Sequence, residues 1–382
     1  MELSENSPKR WIDCEVEDEY FGEERKAKKI ARKLISAKDR SKYKKTDLRK
    51  EANQPKEFKG KPENCERGIV LSIASQGIIV DVQGSLLSCV LRGVLKKEKT
   101  QFKNLVTVGD FVLIERISRT DGVIIHVEPR RSILSRAENL SRRKEQLIAA
   151  NVDQVMITVS VLSPPLKPAL IDRYIIAAQK GNMQPVIVIN KTDLFMLENS
   201  SIDRVLLHKE KELFQDILKT YPQLNIPVIG VSVITGEGFD QLKKIMQNKI
   251  SVFSGQSGVG KSSLINRVTG NTLAVGGIVD KTNKGSHTTS TAQLLPLEFG
   301  GFCIDTPGIK SFGVWNLNKQ EIEDYFTEIF ICGHKCQFPD CSHFREENCA
   351  VMRAVEAGEI SHLRYESYLM LVHSAEEKRF RR

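Results

Sequence analysis

The sequence predicts a multidomain chain in which an all-β barrel precedes a central α/β domain with a parallel sheet, and a helical, metal-binding tail follows. Three observations predict it. Short β-branched runs punctuated by Gly and Asp-Gly fill residues 68–130, and from about residue 152 apolar runs of strand length alternate with amphipathic stretches of helix length. Four of the eight cysteines, Cys332, Cys336, Cys341 and Cys349, crowd together near the end.

At 382 residues the chain has room for two or three domains, and 40% hydrophobic with 27% charged residues is ordinary for a soluble globular protein. No apolar run has the length of a membrane span, and the acidic N-terminus MELSENSPKRWIDCEVEDEYFGEE has no apolar core. The expectation is a monomeric, cytoplasmic chain without a membrane partner.

Residues 1–65 read as a flexible charged extension. The basic excess behind the +9 formal charge is concentrated in residues 25–61, which carry sixteen Lys and Arg against four acids. Such an arm neutralises phosphates, or else is a solvated tail. The acidic stretch 13–24 is placed to fold back on it.

Residues 66–132 form the barrel. GIVLSIASQGIIVDVQG (68–84) and GDFVLIERISRTDGVIIHVEPR (109–130) give several short strands in about sixty-five residues, and the OB-fold is the common barrel of that size that binds RNA.

Residues 133–318 form the α/β domain, with strands at QVMITVS (154–160), PVIVIN (185–190), IPVIGVS (226–232) and ISVFS (250–254). Helices are expected over 168–182 and 200–221. GQSGVGKS (255–262) has the spacing of a phosphate-binding loop between a strand and a helix. Gly255, Gln256, Ser257, Gly258, Val259 and Gly260 turn backbone N–H groups toward phosphates, Lys261 reaches the terminal ones, Ser262 ligates magnesium, and Ser263 continues the helix N-terminus. Asn190, Lys191, Thr192 and Asp193 make the Asn-Lys-x-Asp pattern that reads guanine. The Asp193 carboxylate accepts from the N1–H and the exocyclic amine, a donor pair adenine lacks, and the Lys191 stem packs along the base. VSVITGEGF (231–239) offers the N–H groups of Ser232 and Val233 to the guanine carbonyl. In DTPG (305–308), Asp305 holds magnesium through water and Gly308 turns its N–H to the γ-phosphate. DKTNKGSHTTST (280–291) reads as a switch loop in which Thr288 or Thr289 caps the magnesium ion. The order is unusual, because the base reader precedes the phosphate loop; the elements of a circularly permuted GTPase would stand this way and still meet in space.

Residues 319–382 are helical. CQFPDCSHFREENC places Cys336, Cys341, His343 and Cys349 at the spacing of a closed tetrahedral zinc site, with Cys332 and His334 as alternative ligands.

GQSGVGKSSLIN, NKTDL, the permuted order, KGSHTTST, DTPGI and CQFPDCSH…NCAV together resemble the circularly permuted, ribosome small subunit-dependent GTPases, the RsgA (YjeQ) family, over roughly residues 66 to 370. The resemblance implies an N-terminal OB-fold, a central permuted P-loop GTPase, a C-terminal zinc-binding domain, and GTP hydrolysis stimulated by the small ribosomal subunit during its late maturation on ribosomal RNA. Two features depart from the family pattern: Ser286 stands where the switch loop usually has Arg, and residues 1–65 have no counterpart. The position after DTPG is Ile309, which has no polar atom to orient an attacking water. That leaves His287, assisted by Lys261 and Thr289, or a ribosomal group as the catalytic element.

Overall fold

The computed structural model describes residues 65–74, 77–93, 105–136, 146–196, 204–270, 292–305 and 318–380. The basic arm at 25–61 lies outside them. Strands β1 (Cys65–Ala74), β2 (Gly77–Val82), β3 (Ser85–Leu91), β4 (Phe111–Arg116) and β5 (Asp121–Val127) run in the order β1-β2-β3-β5-β4, and a pairing of β4 back to β1 closes them into a barrel. All neighbours are antiparallel except β3 and β5. The alternation of the strands puts Val70, Val80, Leu87, Cys89, Val112, Ile114 and Ile124 inside, each fully buried. Register shifts at Val70/Ser72 and Leu113/Ile114 supply the local bending that so small a closure needs.

A hairpin of β6 (Ile133–Arg136) and β7 (Gln146–Ala150) leads out of the barrel and bridges back to it at Val108. The strands β8 (Gln154–Ser160), β9 (Gln184–Asn190), β10 (Val228–Gly230), β11 (Ile250–Ser254), β12 (Gln293–Pro296) and β13 (Phe302–Asp305) then form a sheet in the order β10-β9-β8-β11-β13-β12. It is parallel except for β12. Beyond β12 the sheet continues into the barrel, because Ser72 of β1 pairs with Gln293.

The helices α1 (Pro168–Lys180), α2 (Arg204–Gln223), α3 (Phe239–Met246) and α4 (Lys261–Val268) cover both faces. Val155, Ile157 and Val159 of β8 face Ile171, Ile175, Ile217 and Tyr221 from α1 and α2. Met156, one step out of phase, faces the cluster of Phe239, Leu242, Leu264 and Val268 from α3 and α4. Burial on both faces is why β8 and β11 read as largely apolar runs, with even their Gln, Thr and Ser side chains buried. From β8 the chain moves outward through β9 to β10 and then returns along the other face to β11. The connections leaving β8 and β11 therefore part to opposite faces, which opens a crevice at their carboxyl ends, the usual ligand position in such sheets.

The last unit comprises α5 (Lys319–Tyr325), α6 (Thr327–Gly333), α7 (Ala350–Glu356) and α8 (His362–Phe380). A capping box starts it: the Asn318 side chain accepts from the Glu321 N–H at 2.9 Å, and the Glu321 carboxylate accepts from the Asn318 N–H at 3.0 Å. Its core of Ile322, Phe326, Ile329, Val351, Tyr368 and Leu371 also includes Ile176 of α1. At that seam Arg364 of α8 donates to Asp172 of α1 and, through Nε at 2.6 Å, to Glu328 of α6. Tyr221 OH donates to the same Asp172 oxygen at 2.9 Å, and the Phe326 ring lies under the guanidinium at 4.0 Å. Burial pushes the Asp172 carboxyl up, opposed by the Arg364 charge. Among the described residues no helix is long and apolar enough to cross a membrane.

Removing one member of a buried ion pair strands the others, at a cost of about 3–5 kcal/mol. Arg364→Ala is expected to lose stability on that scale in urea unfolding, and Asp172→Asn combined with Arg364→Met to recover part of it. An Arg364→Ala chain with the parental unfolding midpoint would contradict the network's role.

Candidate nucleotide site and metal centre

The loop after β11 folds as its glycines permit. Gly255 has φ +155° and Gly260 φ +92°; a Cβ at the first would run into the carbonyl of Thr158 on β8, and one at the second into the amide of Asn190. Between them Gln256 and Val259 are buried, while Ser257 and Gly258 are exposed. The Lys261 ammonium donates to the carbonyls of Gly255 and Gln256, at 2.7 Å each, and burial lowers its pKa. Ser262 and Ser263 stand exposed on the first turn of α4.

Asn190 ends β9 on the far side of β8 and is buried at 2% exposure. Its Nδ2 donates to the Val259 carbonyl at 2.8 Å, so the two sequence motifs touch across the crevice. Lys191 follows in the left-handed region at φ +65° and donates to the Ser163 carbonyl. Thr192 and Asp193 begin a 3-10 turn, anchored by the Thr192 N–H on the Val231 carbonyl at 3.2 Å. The Asp193 carboxylate is oriented by the Ser232 hydroxyl, which donates to it at 2.6 Å and accepts from the Thr235 N–H at 3.1 Å.

The backbone N–H of Ser232, expected to face the guanine carbonyl, donates instead to the Glu237 carbonyl at 3.1 Å and closes the turn. The Ser232 side chain, not its N–H, is what reaches Asp193. The Val233 carbonyl accepts from Arg267 of α4 at 2.7 Å, so the helix that follows the 255–260 loop is tied to the 231–239 loop. Asp305 ends β13, next to β11. His287, Thr288, Thr289 and Gly308 lie outside the described residues.

In the helical unit Cys336, Cys341, His343 and Cys349 bring their ligand atoms within 4.8 Å of one another. Zinc bond lengths at the tetrahedral angle require about 3.8 Å between sulfurs and about 3.6 Å from nitrogen to sulfur. The Sγ atoms of Cys336 and Cys349 are 3.8 Å apart, and His343 Nδ1 lies 3.6 and 3.5 Å from them. The donor set therefore fits a tetrahedral zinc ion. The alternatives stay out: His334 Nδ1 is 2.8 Å from the Phe330 carbonyl, and Cys332 is not in the cluster. Glu323 of α5 stands 3.4 Å from the other ring nitrogen of His343, and Lys319 donates to the Cys341 carbonyl at 2.7 Å.

Residues 127–315 match the family model described as RsgA GTPase. A small ribosomal subunit biogenesis GTPase RsgA from Chlorobaculum parvum is 39% identical over 283 residues, 72% of this chain and 86% of that one. The chain belongs to the RsgA GTPase family. As a member it is a GTPase. A second relative of the same name, from Caldanaerobacter subterraneus subsp. tengcongensis, is 33% identical over 84% of this chain and 99% of that one. Among solved structures, YjeQ from Thermotoga maritima superposes with a TM-score of 0.62 at 34% identity, covering 81% of this chain and 98% of that one. YloQ, described as a circularly permuted GTPase, gives 0.63 at 25% identity, covering 83% and 96%.

Sequence reasoning had no means of finding Arg267, whose role depends on a loop 34 residues away, or Glu323, an ordinary acid in an amphipathic helix. Ser232→Ala removes the donor that orients Asp193 and is expected to weaken GDP binding about tenfold, as a lost hydrogen bond to a charged group would. Titration with a fluorescent GDP analogue measures it. Chelation of the metal, or Cys341→Ser, should increase proteolysis of residues 319–380 and leave GDP affinity within about twofold, because no ligand comes from the sheet.

Proposed function

We propose that this GTPase acts in biogenesis of the small ribosomal subunit, as the printed names of its relatives describe for them. It binds the subunit's RNA during late maturation, and the subunit stimulates hydrolysis. The observation that carries the reading is the contact from Asn190 to Val259, which joins a guanine reader to a phosphate loop at the sheet's crevice. Asp193 accepts from the guanine N1–H and amine, the Val233 N–H meets the guanine carbonyl, and the Lys191 stem lies along the base. The backbone N–H groups of 255–263 take the phosphates, and Lys261 exchanges its two carbonyl partners for phosphate oxygens.

Ser262, with Thr289 and a water held by Asp305, would ligate Mg²⁺, which supplies charge neutralisation at the phosphates when bound. Gly308 turns to the γ-phosphate and His287 orients the attacking water, on the strength of the family resemblance. We read the barrel as an OB-fold, since a five-strand Greek-key barrel with this strand order is that fold's plan, and as the RNA-binding unit together with the basic arm. The Cys/His centre is a structural zinc site. The units divide at about residues 65, 132 and 318.

Steady-state hydrolysis should rise when purified small subunits are added to the chain with GTP and magnesium. Unchanged turnover with both mature and immature subunits would refute the assignment. Asp193→Asn should shift preference from GTP toward xanthosine triphosphate, because the amide donates where xanthine presents a carbonyl. Competition binding of the two nucleotides reads the shift.

A further inference from the structure

The strand β8 is the other wall of the crevice, and the connection that leaves it, residues 161–167, runs on past both nucleotide motifs. We propose that this connection forms a third wall of the guanine-nucleotide site and that Glu210 of α2 is the positioning residue that holds it there. The inference rests on the nucleotide-site reading of the crevice.

The connection touches both motifs. Its Ser163 carbonyl receives the Lys191 ammonium, and its first N–H, from Val161, donates to the Asn190 carbonyl at 3.2 Å. Pro164 lies over the phosphate loop, where a Cβ built on Gly258 would be 3.7 Å from its Cδ. The base reader and the exposed crest of the phosphate loop are thus spanned by the same few residues.

Its shape is not one the chain adopts unaided. Leu162 stands in the left-handed region at φ +64°, which is costly for a bulky residue and persists only where the surroundings over-determine it. The surroundings are polar contacts of fixed geometry. Ser160 Oγ donates to the Pro164 carbonyl at 2.9 Å, and the Ser163 N–H donates to the Val161 carbonyl at 2.7 Å. Both oxygens of Glu210 serve the connection as well: Oε2 accepts from the Leu162 N–H at 3.0 Å, and Oε1 and Oε2 share the Leu166 N–H at 3.2 Å. Glu210 is 5% exposed. A carboxylate taken from water to bind two backbone donors on either side of Ser163 and Pro164 fixes where those two residues sit. Without it the N–H groups of Leu162 and Leu166 turn toward water, Ser163 withdraws from Lys191, and the base reader loses the partner that aims its lysine.

The test uses the full chain and the affinity of a fluorescent GDP analogue, with circular dichroism confirming the fold of each variant. Glu210→Ala is expected to weaken GDP binding about tenfold, and Glu210→Gln, which keeps one acceptor oxygen, by less. Glu212→Ala, an exposed acid half a turn away, should change nothing. Lys191→Met should also weaken binding. Because both residues act through Ser163, the double variant should be no weaker than the poorer of the two single ones. If Glu210→Ala does not fold, the Glu210→Gln and Lys191→Met pair carries the same cycle. Unaltered affinity in a folded Glu210 variant, or losses that multiply in the double variant, would overturn the proposal while leaving the nucleotide site in place. A parental chain that binds no GDP would remove the nucleotide-site reading and this inference with it.

Discussion

A parallel sheet opens a crevice where strands near its middle send their connections to opposite faces, and β8 and β11 do so here. The described residues of both sequence motifs stand around that gap. Gly255 lies close against β8 and Gly260 close against the end of β9, so a side chain at either position would lift the 255–260 loop off the sheet. The buried Asn190 amide then ties the loop to the strand that carries the base reader. Sequence order is immaterial to this geometry. What matters is which strands are neighbours, and the strand order is the same whether the base reader or the phosphate loop is synthesised first.

The second organising element is a charge that cannot reach water. Arg364 is 3% exposed and lies between Asp172 and Glu328, with Tyr221 hydrogen-bonded to the same aspartate. Such a group is stable only in one arrangement of its partners, because any rotation of the helical unit against α1 would separate opposite charges in a medium that does not screen them. Apolar contacts around Ile176 would tolerate sliding; the ion network does not. The Cys/His cluster is held in register with the sheet by this seam, and Lys319 and Glu323 of α5 brace it.

Much of this was legible in the residues. The barrel strands stood out as short β-branched runs punctuated by Gly and Asp-Gly, and β8 and β11 as the largely apolar runs of strands covered twice. The four clustered ligands stand at the spacing that suggested them, while His334 is spent on its own helix. Three things were hidden, each for a physical reason. Glu210 sits in HKEKEL, where every charged residue looks alike until the helix is turned against its neighbour. Asp172 and Arg364 are 192 residues apart, and neither has a local pattern that announces a buried charge. The Ser232 N–H looked available because a sequence shows a donor but not the carbonyl, here that of Glu237, which a tight turn brings back to it.

The pairing of Ser72 with Gln293 has a consequence for the chain in isolation. An open sheet has two rims of unsatisfied backbone groups, each a template on which another chain can deposit a strand. Here β12 would be one such rim, but β1 of the barrel lies against it, and the barrel has no rim of its own because β4 closes on β1. What remains at the far side is β10, three residues long. Among the described residues the eleven-strand system thus meets solvent with one very short free rim, β10, and one rim that the barrel interrupts at Gln293.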